Sequence, residues 1–455
     1  MTSPLLNLSK RVAVLALPMG LQTLLQAMLG MADVVMVSGL GAAAIAAVGL
    51  SAKLHFLLLV VMLGVATACS ILVAQYTGAK NEAASKHTLA LTLIIGSLLM
   101  LPFMLLFSAN NSWWLSILNP DPEVVALASK YLFITAAALI LTQWIVIFES
   151  ALRSIGNTTL PLVIGGFAAI SNIFFNYVLI FGHFGFPELG VAGAAWGTLL
   201  SRCLQVIAII AYLAMKQHPF SALHLDFVHA FNFQRAKRFL LFAFPLISNY
   251  FIWALGNATY HILTGYAGTN ALAVMGIMVP IESAFFALFI GTANASAIMI
   301  GQNLGADKTE EAWQLYRFFD RLTISAVIVF SASLWLASPL IVNHFAESNA
   351  EAATLLQKTL LIFCLLTWIK VINMQRIIGV LRAGADNNFV LVVDTIVMWA
   401  IGLPAFALGL FYFNFPFYIL YILMYLEDTA KFPPMWWRLG KRYWLKNLTR
   451  VSHSS

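Results

Sequence analysis

The stretch AIAAVGLSAKLHFLLLVVMLGVATACSILVAQYTGA, residues 44–79, decides the fold class. From 44 to 72 it is apolar almost throughout, with Lys53 and His55 its only basic side chains and no acidic one. About 20 such residues wound as a helix cross a hydrocarbon core of roughly 30 Å. A membrane β-strand would alternate apolar and polar positions over about 10 residues, and this run is continuous. The same signature recurs near 12–37, 88–109, 126–152, 160–182, 190–214, 239–263, 271–300, 321–343, 355–381, 388–411 and 414–428. The expected fold class is therefore an all-α polytopic membrane protein of twelve transmembrane helices. Composition supports this, since 61% of the 455 residues are hydrophobic and 9% are charged, against roughly 25% charged in soluble domains.

Working outward, the first span follows Lys10 and Arg11 but is too long for a cleavable signal and contains Gln22 and Gln26. Cys69, Cys203 and Cys364 all fall inside spans, so they read as small packing residues and not as a disulfide framework. Basic residues set the orientation. With the N-terminus cytoplasmic, the inner segments collect Lys80, Lys86, Arg153, Lys216, Arg235, Lys237, Arg238, Lys308, Arg317, Arg321 and Arg382. The outer loops carry mainly Asp121, Glu123, Glu188, Glu347 and Glu351. Both termini are expected inside, and the net charge of +7 is a topology signal with no nucleic-acid role. The C-terminal cluster Lys431, Arg438, Lys441, Arg442, Lys446 and Arg450, with Trp436, Trp437 and Trp444, is expected to lie along the inner surface.

The segment AQYTGA at 74–79 has a counterpart, GQNLGA at 301–306, at an offset of 227 residues. The same offset pairs Pro18 with Pro245, Gly41 with Gly268 and Gly49 with Gly276. At an offset of 229, LRSIGN at 152–157 answers LRAGAD at 381–386. Six spans per repeat give two lobes of equal orientation, related by a pseudo-two-fold axis along the membrane normal. The expected division is an N-terminal lobe 1–215, a cytoplasmic connection 216–238 that includes His224, a C-terminal lobe 239–428 and a basic tail 429–455. Repeats of this kind belong to transporters that hold substrate between the lobes and rock one against the other. The chain has no GxxxxGK[ST] loop, so an ion gradient and not ATP is the expected drive.

Polar groups within a bilayer are costly and each needs a reason. Gln22, Gln26, Gly30 and Asp33 are spaced 4, 4 and 3 apart, on one face of the first helix. The repeat maps them onto Asn249, Trp253, Asn257 and Tyr260 of the seventh, where no carboxylate occurs. One lobe is thus acidified and expected to bind the coupling ion. Asn172 and Asn176, i and i+4 on the fifth helix, and Thr198 on the sixth are candidate company for Asp33. A carboxylate among neutral oxygens suits either one proton or one sodium ion. The alternatives are that Asp33 ends a helix near outer water, that the asparagines bond helix to helix for roughly 1 kcal/mol each or less, and that Thr198 bonds its own backbone. Glu282, which maps onto His55, is a second acidic candidate. Glu149, Arg202, Lys370, Arg376 and Asp394 sit in or at the ends of spans, some of them as structural ion pairs, and Asp394 reads as structural. Sixteen methionines and 59 aromatic residues (34 Phe, 13 Tyr, 12 Trp) suit a pocket for lipophilic cations, although lipid-facing belts account for Trp113, Trp114, Trp436, Trp437 and Trp444.

These landmarks resemble the multidrug and toxic compound extrusion (MATE) family over essentially the whole chain. The resemblance rests on ADVVMVSGLG at 32–41, AAVG at 46–49, AQYTGA at 74–79, LRSIGNTTLPL at 152–162, NIFFNYVLIFG at 172–182 and GVAGAAWGT at 190–198, with AGTNALAVMG at 267–276, GQNLGA at 301–306 and LRAGAD at 381–386 in the second half. It implies a bacterial inner-membrane protein, acting as a monomer, that exchanges drugs, often organic cations, against protons or sodium, with no enzymatic step and no cofactor. The coupling group would comprise Asp33, Asn172, Asn176 and Thr198. Gln22, Gln26, Asn249, Trp253, Asn257, Tyr260 and Glu282 would line the substrate cavity. The chain departs from the family where some members carry an aspartate at the position of Asn176. Carboxylates of the seventh and tenth helices are also missing, where Asn249, Asn257 and Asn373 are the polar groups. Coupling is therefore expected in the N-terminal lobe, with protons favoured over sodium. The main rival reading is a flippase for lipid-linked oligosaccharides or polysaccharides, for which Lys53, Arg202, Lys370 and Arg376 would supply a cationic cavity. A membrane assembly protein without transport would have no need of Asp33.

Overall fold

A computed structural model describes residues 4–109, 112–221, 225–346 and 350–450; His224 and Glu347 fall outside these. All regular structure among the described residues is helical. Among the described residues, twelve long helices overlap the twelve expected spans. They are α1 (Pro4–Ser38), α2 (Ala42–Gly78), α3 (Glu82–Ser108), α4 (Pro122–Ser154), α5 (Thr159–Phe181), α6 (Val191–Met215), α7 (Phe233–Tyr266), α8 (Thr269–Gly305), α9 (Thr309–Ala346), α10 (Ala350–Arg376, continued by a π turn Ile377–Leu381), α11 (Asn387–Phe411, with a π turn Val397–Gly402) and α12 (Phe417–Gly440). Eleven of them are long and apolar enough to cross a membrane by length and composition. Local chemistry starts several of them. The Asn81 side chain accepts the Ala84 amide at 3.0 Å to cap α3, and Asp121 accepts the Glu123 amide at 2.9 Å ahead of Pro122 in α4.

The duplication reaches the backbone. α2 and α8 begin and end 227 residues apart (269 − 42 and 305 − 78). Gly41 and Gly268 precede them at φ 100 and 106, a region that side chains avoid, so glycine is required at both. The packing scheme repeats as well: α4 packs on α2, α3 and α6, and its counterpart α10 packs on α8, α9 and α12. By compactness the chain forms two units, Gln22–Ile247 and a second made of residues up to Leu21 with Ser248 onward. The change of unit falls just past Pro18 in α1 and just past Pro245 in α7, where proline has removed a backbone hydrogen bond. In the first unit α2 and α4 are tied by Ser150 Oγ to the Ala66 carbonyl (2.9 Å) and by Ser154 Oγ to the Ser70 carbonyl (3.1 Å). Ser296 Oγ bonds the Gly379 carbonyl (3.2 Å) at a comparable place in the other.

The end of the chain differs from expectation. α12 runs through 428 to Gly440, because Lys431 meets Glu427 at 2.5 Å and Asp394 at 3.1 Å and the charges that look like a stop are neutralised in place. Trp444, expected in an interfacial belt, is fully buried against Trp313 and Tyr316. A Cβ on Gly384 would collide with the Trp444 carbonyl, so the chain can fold back here only over a glycine. Asp386, in the turn after α10, anchors this return. Arg438 grips it at 2.6 and 2.8 Å, with Lys446 at 3.4 Å. Burial would raise the Asp386 pKa, but these cations outweigh it and hold the carboxyl below the ordinary aspartate value.

Replacing Trp444 with alanine should cost about 3–5 kcal/mol. Trp436, exposed over 65% of its surface, should tolerate the same change within about 0.5 kcal/mol. Thermal unfolding of the two variants in detergent checks the contrast.

Candidate functional site

The second half of α1 carries Gln22, Gln26 and Asp33 as one polar face, and within Gln22–Ile247 this face meets α5 and α6 around a small cavity. Gln22, Gln26 and Asp33 line it with Asn172 from α5 and Thr198 and Arg202 from α6. Its volume is about 60 Å³. Drug-sized sites run to about 300–1,000 Å³, so this one has room for an ion or a few waters and not for a drug.

Asp33 is half-buried. Its Oδ1 accepts the Asn176 amide at 2.7 Å, while the same amide lies 3.3 Å from Asn172 Oδ1. Asn172 in turn points its amide toward Ser201 Oγ at 3.4 Å. The two asparagines, one turn apart on α5, thus form a chain in which Asn176 donates to both Asp33 and Asn172 and Asn172 donates on to Ser201. Asn176 Oδ1 is buried with no hydrogen-bond partner among the described residues. Thr198 donates to its own helix at Ala194 O, 3.0 Å, and its hydroxyl is also bonded with the Tyr131 side chain. The cluster expected from sequence is brought together, with Thr198 in the backbone-bonded form.

Close approach of α5 and α6 makes this possible. A Cβ on Gly197 would collide with Asn176 Oδ1 and come within 3.1 Å of the Asn176 backbone nitrogen. Glycine is required here for space.

Sequence reasoning leaves Glu149 and Arg202 as span-end charges and does not single out Gln205. The structure joins them. Glu149, buried in α4, accepts Gln22 Nε2 at 2.8 Å and Gln205 Nε2 at 3.2 Å. Gln22 Oε1 accepts Arg153 (3.0 Å), which stands 3.7 Å from Glu149, and Gln205 Oε1 accepts Arg202 (2.9 Å). Arg202 is near enough for its charge to act on both Asp33 and Glu149. One carboxylate and two guanidiniums therefore share the hydrogen-bonded network around Glu149, and the charge of Arg202 reaches Asp33 as well. The available signals are the i, i+4 pair Glu149–Arg153 and the i, i+3 pair Arg202–Gln205.

The remaining candidates lie in the other unit. Asn249 is buried between Asp394 (2.8 Å) and Arg382 (2.6 Å). Tyr260 donates to Glu427 at 3.3 Å, and Glu282 accepts the Tyr421 hydroxyl. Asn257 turns back to the Trp253 carbonyl (2.8 Å), and the Trp253 ring is 46% exposed. Glu427 is a partner of this face that sequence reasoning does not single out, and Lys431, expected along the inner surface, is buried beside it. Asp394, Glu427, Lys431 and Arg382 form a second charge-balanced cluster behind α7. Among the described residues no group of three or more His, Cys, Asp or Glu is placed to hold a metal ion.

Gly197→Val should drive Asn176 away from Asp33 and lower stability by about 1–3 kcal/mol. Gly166→Ala, with open space at its Cβ, should be neutral. Thermal unfolding and transport, measured side by side, would separate the two.

The family model MatE matches the chain twice, over residues 18–178 and 245–408. The two matches start 227 residues apart (245 − 18), the offset of the internal repeat. A probable multidrug resistance protein NorM of Thermotoga maritima is 27% identical over 330 residues, 71% of this chain and 70% of its own length. The probable multidrug resistance protein YoeA of Bacillus subtilis is 26% identical over 376 residues, 81% and 80% of the two chains. A crystal structure of a mutant of the Vibrio cholerae MATE transporter VcmN superposes with a TM-score of 0.85 over 96% of this chain and 98% of that one, at 18% identity, a likeness of fold. The chain belongs to the MatE family: it is an integral membrane transporter and not an enzyme.

Proposed function

We propose that the protein exports lipophilic and cationic small molecules across the bacterial inner membrane in exchange for protons, with both termini cytoplasmic and Asp33 as the coupling carboxylate. The single observation that carries this reading is the carboxylate of Asp33, bonded by Asn176 in a cavity of about 60 Å³. The multidrug resistance names of the relatives support the substrate class.

Protons are favoured over sodium by the groups around Asp33. A sodium ion needs several acceptor oxygens turned toward it. Asn176 presents its amide to the carboxylate, Arg202 adds a positive charge, and the Thr198 hydroxyl is already engaged with Ala194 and Tyr131. A proton needs one lone pair. Protonation would neutralise Asp33 and turn a charge-assisted hydrogen bond of Asn176 into a neutral one of about half the strength. The second half of α1 would then be free to shift about Pro18, where the ladder is already interrupted. Alternating access follows if drug and proton compete for that shift. Substrate contact is assigned in the Gln22–Ile247 unit to the exposed Gln26, with Gln22 held by Glu149, and in the other unit to Trp253 and Asn257, with Asn249, Tyr260 and Glu282 held by their bonded partners.

Proteoliposomes loaded with a fluorescent lipophilic cation test this under an imposed proton gradient and then a sodium gradient. The expected result is efflux driven by protons in the parent and reduced to the protein-free background in Asp33→Asn. Unimpaired efflux in that variant would remove Asp33 from the coupling role.

A further inference from the structure

A separate cavity of about 590 Å³ lies between the first turns of α9 and the last turns of α12. On α9, Trp313, Arg317 and Arg321 recur every four residues and so share a face. On the other wall stand Trp436, Trp437 and Lys441. The acidic group at this wall, Asp320, is already taken: Arg376 holds it in a two-point bridge at 2.9 and 3.2 Å. The neighbouring cation Arg442 is likewise engaged, with Glu310 at 3.1 Å and over the Trp313 ring at 4.3 Å. Arg317, Arg321 and Lys441 therefore face one space with no anionic partner among the described residues.

Three like charges converging on a cavity repel one another and favour an anion between them. The level of the cavity identifies the anion. No charged residue occurs from 322 to 343 of α9, so Arg317 and Arg321 stand at the edge of its apolar span. Trp436 and Trp437 are exposed over 65% and 52% of their surface beside them, as indoles are at a membrane–water boundary. Such a rim meets lipid phosphates, and anionic leaflets draw basic clusters. Gly440 leaves the floor open, with nothing within 4 Å of the place its Cβ would occupy.

We propose that this cavity binds the headgroup of an anionic phospholipid, with Arg317, Arg321 and Lys441 on the phosphate and the indoles at glycerol depth, so that the lipid ties α9 to α12. The test is thermal unfolding of the detergent-solubilised protein with dioleoyl phosphatidylglycerol, with dioleoyl phosphatidylcholine, or with inorganic phosphate added. Binding to the folded state raises Tm with ligand concentration. The expected result is a rise with phosphatidylglycerol that weakens with salt, with little effect from the other two. The variant Arg317→Gln/Arg321→Gln/Lys441→Gln should lose most of that rise, whereas Arg317→Lys/Arg321→Lys/Lys441→Arg should keep it. Should the first variant not fold, Gly440→Trp fills the cavity with all three cations in place and should also abolish the rise. An equal rise with phosphatidylcholine or inorganic phosphate, or a full rise in either disabling variant, overturns the proposal.

Discussion

A carboxylate among apolar helices is tolerable only when its charge is answered nearby, and the hydrogen bond from Asn176 to Asp33 is the answer on which the first unit depends. It requires α5 to lie against α6 without a side chain at Gly197 and Asn172 to stand one turn away. It also requires the second half of α1 to present one polar face. Removing one member leaves a buried polar group without its partner, at about 1–3 kcal/mol for a neutral group and more for a charge.

The Glu149 network extends the same logic toward the end of α4. Each of Gln22 and Gln205 uses both ends of its amide, donating to Glu149 and accepting from an arginine. Glutamine suits this place because it offers a donor and an acceptor a few ångströms apart without adding charge. The second unit solves the equivalent problem differently. Where the first has one acidic face on α1, the second places Asp394 on α11 and Glu427 on α12 and bridges both with Lys431, while Arg382 is joined to Asp394 through Asn249. Duplication preserved the backbone, down to Gly41 and Gly268, while the charged side chains moved to other helices.

The helices are legible in the sequence because an apolar run of span length, with no polar face to turn toward water, is stable chiefly as a helix in lipid. Asp33 is legible because a carboxylate in such a run stands out, and Asn172 and Asn176 because of their spacing of four. Glu149 is harder. Its partner Gln22 is 127 residues away, and a charge near a span end looks the same whether it reaches water or a buried amide. Trp444 poses the same difficulty: a tryptophan among basic residues reads as interfacial, and only the close approach over Gly384 shows it to be core. Hydropathy ends α12 too early, at Glu427 and Asp428, although Glu427 and Lys431 at i, i+4 are the available sign that the helix continues.

The central claim is that Asp33 carries the exchanged proton. Calorimetric titration of the detergent-solubilised protein with a lipophilic cation, repeated in two buffers of different ionisation enthalpy, counts protons released on binding. The account predicts a binding heat that depends on the buffer in the parent and is independent of it in Asp33→Asn, which still binds the cation. The same buffer dependence in both proteins would contradict it.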